Sequence, residues 1–268
     1  MMGMLTRAAR RIRVIAVWGA AGTNLMAGCA PPARAADLRV LTAGAYKQVL
    51  QAAQPAFERE TGHRLVIDND TAGGLVKRVN GGEAFDLLVL TAGPLAELAR
   101  TGAVRATGDG APRPLTRVGI GVAVKQGASK PDIGSVPAFR DALLAARAIA
   151  TVDPAAGGTS GIHLWRTFEA WGIADRLRPR AVLVPGGYSA AKVVSGEADI
   201  AVQQMSELVA VPGVTIVGMV PDEIQVWTVY AGAVSARARQ AEAAVALWRH
   251  LAGPAGRALL VERGMAEP

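Results

Sequence analysis

The sequence predicts an α/β fold, βα units built around largely parallel sheets, on three observations. Beyond residue 36, short β-branched or Leu-rich runs alternate with amphipathic stretches, the rhythm of strand and helix in turn. Several of these runs end in turns of Gly, Ala, Ser and Thr, followed by a helical pattern. A length of 268 residues, 51% of them hydrophobic, suits one large or two moderate domains with real cores.

In order, strands are expected at Leu38–Leu41, Arg64–Ile67, Leu87–Leu90, Gly119–Val124, Ile149–Val152, Ala181–Val184, Asp199–Val202, Thr215–Val217 and Gln225–Val234. The clearest helices are Tyr46–Thr61, Ser160–Trp171, Arg239–Leu251 and Pro254–Arg263. No internal repeat is present. The Gly- and Pro-rich segment Thr107–Pro114 is the expected crossing between lobes.

Composition excludes several classes. Only 19% charged residues argues against disorder, and 31 Gly with 15 Pro but no triplet period argues against a fibrous chain. One cysteine makes no internal disulfide or cysteine-built metal site, and His63, His163 and His250 are far apart in sequence, so no metal or other cofactor is expected. The net charge of +7 suggests nucleic acid until its position is considered. Arg7, Arg10, Arg11, Arg13 and Arg34 lie in the first 35 residues, where there is no acidic side chain. The remainder is nearly balanced and carries no basic stripe, so no nucleic-acid partner is expected.

The N-terminus reads as an export signal: a basic stretch to Arg13, then the mostly apolar run Val14–Met26, too short for a bilayer anchor. Two processing sites stay open. Ala33-Arg34-Ala35 is a small-x-small cleavage site, giving a signal peptide of residues 1–35. Leu25-Met-Ala-Gly-Cys29 resembles a lipoprotein signal, giving residues 1–28 with Cys29 lipidated. Either route places the mature chain in the periplasm.

Ligands of open α/β sheets collect beyond the carboxyl ends of strands, where helix N-termini converge. Four turns fit: Leu41-Thr-Ala-Gly-Ala-Tyr46, Asn69-Asp-Thr-Ala-Gly-Gly-Leu75, the long Thr151–His163 turn containing Gly157 to Gly161, and Pro185-Gly-Gly-Tyr-Ser-Ala190. Glycine turns and Ser/Thr caps are also ordinary features of βα units. Four together, behind an export signal, point to an anion cradled by uncharged donors, since helix N-termini offer free N–H groups and partial positive charge.

The order of an exported leader, Val40-Leu-Thr-Ala-Gly-Ala45, Ala56-Phe-Glu-Arg-Glu-Thr-Gly62, Thr71-Ala-Gly-Gly-Leu75, Ala84-Phe-Asp-Leu-Leu-Val-Leu90 and Gly196-Glu-Ala-Asp-Ile-Ala201 resembles the periplasmic molybdate-binding proteins of ABC importers. Leu251-Ala-Gly-Pro-Ala-Gly-Arg257 and Gly264-Met265 resemble that family's final helices. The resemblance implies a type II periplasmic binding protein with a ligand cleft between two lobes. Carried over, lobe 1 is residues 37–115 plus 226–268 and lobe 2 is residues 116–225. It also implies an ABC permease as partner and a monomeric chain.

The ligand-binding residues expected from the turns and the resemblance are Gly44, Ala45, Thr71, Ala72, Gly73, Gly158, Thr159, Ser160, Gly161, Tyr188, Ser189 and Gln203. The sequence departs from the molybdate pattern there. Gly44 and Ala45 stand where that family usually has Ser, Thr71 to Gly73 replace a second Ser, and Gln203 replaces a Tyr. A buried dianion short of those hydroxyls loses about 1–3 kcal/mol per group. A small organic carboxylate therefore competes with an oxyanion.

The chain is more distantly similar to periplasmic aconitate isomerase, which shares this fold and acts on a tricarboxylate. That reading needs a base. His163 is the candidate by residue type, although a histidine there is more often a packed helix residue; Asp68 and Asp70 precede the second turn. There is no Gly-x-Ser-x-Gly elbow, P-loop or dinucleotide fingerprint. The expectation is an exported solute-binding protein that closes on a small anion, with an isomerase of an unsaturated tricarboxylate as the alternative.

Overall fold

The computed structural model describes residues 35–268; the leader, its two processing sites and Cys29 lie outside the described residues. Chain order is β1 (Asp37–Ala43), α1 (Lys47–Thr61), β2 (Arg64–Asp70), α2 (Ala72–Asn80), β3 (Leu87–Thr91), α3 (Ala92–Arg100), β4 (Arg113–Val118), β5 (Ile120–Lys125), α4 (Val136–Ala145) and β6 (Ile149–Val152). There follow α5 (Thr159–Ala170), α6 (Ala174–Leu177), β7 (Ala181–Val184), α7 (Ala190–Val194), β8 (Ile200–Gln204), α8 (Met205–Val209), β9 (Val214–Met219), β10 (Thr228–Val234), α9 (Ala241–Ala252) and α10 (Pro254–Ala258).

The strands form two five-stranded sheets, β2-β1-β3-β10-β4 and β7-β6-β8-β5-β9. Each is parallel through its first three strands and admits one antiparallel strand, β10 in the first and β5 in the second. Those two strands are the ones that have just arrived from the other sheet, so the exchange of chain between lobes explains the reversal. Helices flank both sheets, giving the expected two-lobed α/β fold.

Local sequence accounts for the elements. β3 reads Leu-Leu-Val-Leu-Thr and is buried at every residue, as a central strand covered on both faces must be. α1 buries Val49, Leu50, Ala53 and Phe57, one stripe at helical spacing, and stops where Gly62 takes φ of 72°. Separate apolar clusters fill the lobes, one around Leu41, Leu88 and Trp248, another around Val122, Phe139 and Phe168. Burying each such side chain contributes about 1.5–3 kcal/mol.

Two expectations are corrected, and one strand is added. The crossing between sheets falls at Gly119, between β4 and β5, and not at Thr107–Pro114. The Thr107–Pro114 segment is tied to the first sheet, where the Val234 N–H donates to the Gly110 carbonyl. The crossing is closely packed: a Cβ on Gly119 would lie 2.3 Å from Cε of Met219. β4 falls in a stretch whose Pro114 and two arginines carry no strand signal; it is an edge strand, where a missing N–H is tolerated. The helix expected over Pro254–Arg263 ends at Ala258 and resumes only as a 3-10 turn at Val261–Arg263.

Candidate functional site

The carboxyl ends of β1, β2, β6 and β8 meet the start of the returning chain at a cavity between the lobes. The first lobe supplies Gly44 and Ala45 after β1, Asn69 and Asp70 at the end of β2, Thr71 and Ala72, and Tyr230 of β10. The second supplies Gly158, Thr159 and Ser160 at the start of α5, Gly186 and Gly187 after β7, Gln204 at the end of β8 and Glu207 in α8. The cavity left between these atoms is small, about 40 Å³. The cleft is therefore nearly shut.

Contacts across the cleft explain that closure. The Gly73 N–H donates to the Gly157 carbonyl at 3.2 Å, and the Thr71 hydroxyl donates to the Ala156 carbonyl at 2.5 Å. Gln48 Nε2 of α1 donates to the Tyr188 hydroxyl at 3.0 Å. Residues 73 and 157 have to be glycine for the backbones to come this close, since a Cβ on Gly73 would be 2.9 Å from Cα of Gly157. Gly157 also sits at φ of 78°, the left-handed region.

α5 gives the cavity its electropositive side. Its N-cap is Gly158, which has no side chain to cap it, so the N–H groups of the first turn face whatever the cavity holds. The Thr71 hydroxyl, by contrast, is committed: it accepts from Gly74 N at 3.0 Å as the N-cap of α2 while donating across the cleft. Among the described residues the lining contains no Lys, Arg or His. Its ionisable acids are Asp70 and Glu207. Asp70 accepts from the Thr71 N–H at 2.7 Å and lies 3.7 Å from the Arg78 guanidinium.

Glu207 is the informative one. Burial pushes its carboxyl up to about 8, only partly offset by hydrogen bonding from Gln203. Near neutral pH it is mostly protonated, so it can donate a hydrogen bond to an anion and, once ionised, take up a proton. Tyr230 also lines the cavity, with its phenol pushed well above the ordinary range, by burial first and then by Glu207.

Of the residues expected at the site, Gly44, Ala45, Thr71, Ala72, Gly158, Thr159 and Ser160 line the cavity together. Gly73 serves the closure contact, and Gly161 packs where a Cβ would be 2.1 Å from the Val152 carbonyl oxygen. Tyr188 joins the lobes through Gln48. Gln203 and Ser189 lie behind the wall: Gln203 Oε1 accepts from Ser189 N at 2.6 Å and its Nε2 donates to the Gly187 carbonyl at 2.9 Å. His163 donates through Nε2 to the Ile224 carbonyl at 2.8 Å, outside the lining, and Asp68 pairs with Arg78 at 2.5 Å. The residues that sequence reasoning missed are Glu207, Gln204 and Tyr230. Among the described residues no cluster of three or more His, Cys, Asp or Glu is placed to hold a metal ion.

Two α/β lobes joined by crossing strands and shut over a small polar cavity define a type II periplasmic binding protein fold. The model of the bacterial extracellular solute-binding protein family matches residues 38–266, and the chain belongs to that family. Aconitate isomerase of a Pseudomonas species is 34% identical over 226 residues, covering 80% of this chain and 82% of its own. The periplasmic molybdate-binding protein of Azotobacter vinelandii superposes with a TM-score of 0.71 at 19% identity, over 86% of this chain and 99% of its own. The sulfate-binding protein SubI of Mycobacterium tuberculosis gives 0.65 at 16% identity, over 86% of each chain.

Proposed function

We propose that this protein is an exported isomerase that moves a proton along a small unsaturated polycarboxylate of the aconitate type. The observation that carries the reading is Glu207, a buried carboxyl on the cavity wall whose pKa of about 8 suits an acid–base role near neutral pH. The 34% identity with an aconitate isomerase supports the choice of substrate class.

The chemistry is balanced without a redox partner. Ionised Glu207 takes a proton from the CH2 carbon next to a carboxylate, the double bond shifts by one position, and Glu207 returns a proton to the former vinylic carbon. Negative charge developing on the carboxylate oxygens meets the free N–H groups of α5 and the Thr159 and Ser160 hydroxyls. The near-closed cleft keeps water from the carbanion.

A second reading is favoured by membership of the solute-binding family: a binding protein that hands a small anion to an ABC permease. The two separate on turnover. Purified protein is mixed with trans-aconitate and with cis-aconitate, and the products are resolved by chromatography. Interconversion establishes the isomerase. Ligand-induced thermal stabilisation without interconversion leaves the transport reading, with molybdate, sulfate and citrate in the same panel to find the ligand.

A further inference from the structure

Gln204 ends β8 in the second sheet, and its side chain is 2% exposed on the cavity wall. Its Nε2 donates to the hydroxyl of Thr228 at 3.0 Å, while its Oε1 is buried without a partner. Thr228 opens β10 of the first sheet, so this bond spans the lobes at the end of the second crossing segment. A buried amide oxygen left unpaired is costly, and such an atom beside a cavity marks a place for a ligand.

A half-turn about the last side-chain bond exchanges the amide oxygen and nitrogen. The Thr228 hydroxyl both donates and accepts, so it holds either end. With the nitrogen on Thr228, the cavity faces an acceptor, which a carboxylate cannot satisfy. With the oxygen on Thr228, the cavity faces an NH2 donor, which a carboxylate oxygen satisfies fully. The neighbouring Gln203 lacks this freedom, because both ends of its amide are held by backbone groups of the Gly187–Ser189 turn.

We infer that Gln204, anchored across the cleft by Thr228, is the specificity-determining residue of the cavity, presenting its NH2 to one carboxylate of the ligand. The inference rests on the carboxylate reading above. It also links recognition to closure, since the anchor of the reading group belongs to the other lobe.

The test is titration calorimetry with trans-aconitate and citrate on the wild type, Gln204→Leu, Gln204→Glu, Thr228→Val and Thr228→Ser. Gln204→Leu is expected to weaken binding about tenfold or more, the loss of a hydrogen bond to a charged group. Gln204→Glu keeps the shape and replaces the donor by a negative charge, and is expected to weaken it further. Thr228→Val frees the amide and gives a smaller loss that Thr228→Ser restores. Melting curves without ligand report whether each variant folds, and Gln204→Met substitutes for Leu if that variant does not. Wild-type binding with Gln204→Leu within twofold of it overturns this inference alone. Failure of both carboxylates to bind the wild type overturns the carboxylate reading and this inference together.

Discussion

A Cβ on Gly44 would lie 2.7 Å from Oε1 of Glu207, so the turn after the first strand of one lobe is bare where the carboxyl of the other lobe comes to rest. The second lobe thus brings an ionisable group into the space that the glycine leaves clear. Gly44→Ala is therefore expected to drive the Glu207 carboxyl out of position or hold the lobes apart. Turnover should fall sharply, with an overpacking cost of about 1–3 kcal/mol in the melting free energy. Unchanged kinetics in the alanine variant would refute the contact.

Glu207→Gln removes the proton acceptor and keeps the shape. The expected outcome is loss of isomerisation with ligand-induced stabilisation retained, because the amide still donates a hydrogen bond to an anion. Isomerisation at the wild-type rate would exclude Glu207 as the base. In the wild type, turnover should climb with pH and level off above about 8, as the buried carboxyl ionises.

The same group makes stability fall as pH rises. Glu207 is raised from 4.5 to about 8, so between those values the folded protein keeps a proton that the unfolded chain has released. Its contribution is full below about 4.5 and is lost progressively up to about 8, at up to about 1.4 kcal/mol per pH unit. Denaturant melts of wild type and Glu207→Gln at pH 5 and pH 8 isolate the effect, since other titrating groups cancel. The wild type is expected to lose more stability than the variant between these two values. Equal losses would mean that Glu207 titrates normally.

How much of this was legible in the sequence depends on how local each signal is. The α5 turn could be read because Gly158, Thr159 and Ser160 are consecutive and their chemistry is that of a helix start. Glu207 could not. It sits in Met205–Val209, where an acid reads as solvent-facing, and its carboxyl comes to rest against Gly44, far away in sequence and in the other lobe. Gln203 and Gln204 illustrate a finer limit. Successive strand residues point to opposite sides, and the sequence shows two glutamines without saying which one faces the cavity. The structure gives that place to Gln204 and spends Gln203 on the turn behind it. His163 looked like a base by residue type, but the helical position that carries it turns its ring to the Ile224 carbonyl.

Thr159 and Ser160 test the anion side of the site. The double Ala variant should fold, because neither hydroxyl caps α5, whose N-cap is Gly158. It is expected to lose most of the ligand-induced stabilisation, at about 1–3 kcal/mol for each polar partner removed. Thermal shift with trans-aconitate reads this directly. A shift equal to the wild type's would place the anion elsewhere in the cleft.

Closure itself hangs on Gly73 and Gly157. Between them a backbone hydrogen bond of 3.2 Å leaves no room for a methyl group. Gly73→Ala keeps an ordinary helical residue in α2, so the variant should fold, yet its Cβ would wedge against the Cα of Gly157. The lobes are then expected to rest further apart, with a larger radius of gyration by small-angle scattering. Ligand should also dissociate faster, because burial behind this contact is what slows escape. The matching substitution at Gly157 is a poorer probe, since its φ of 78° adds backbone strain of its own. Identical scattering and identical dissociation rates for wild type and Gly73→Ala would show that the two glycines do not set the closed position.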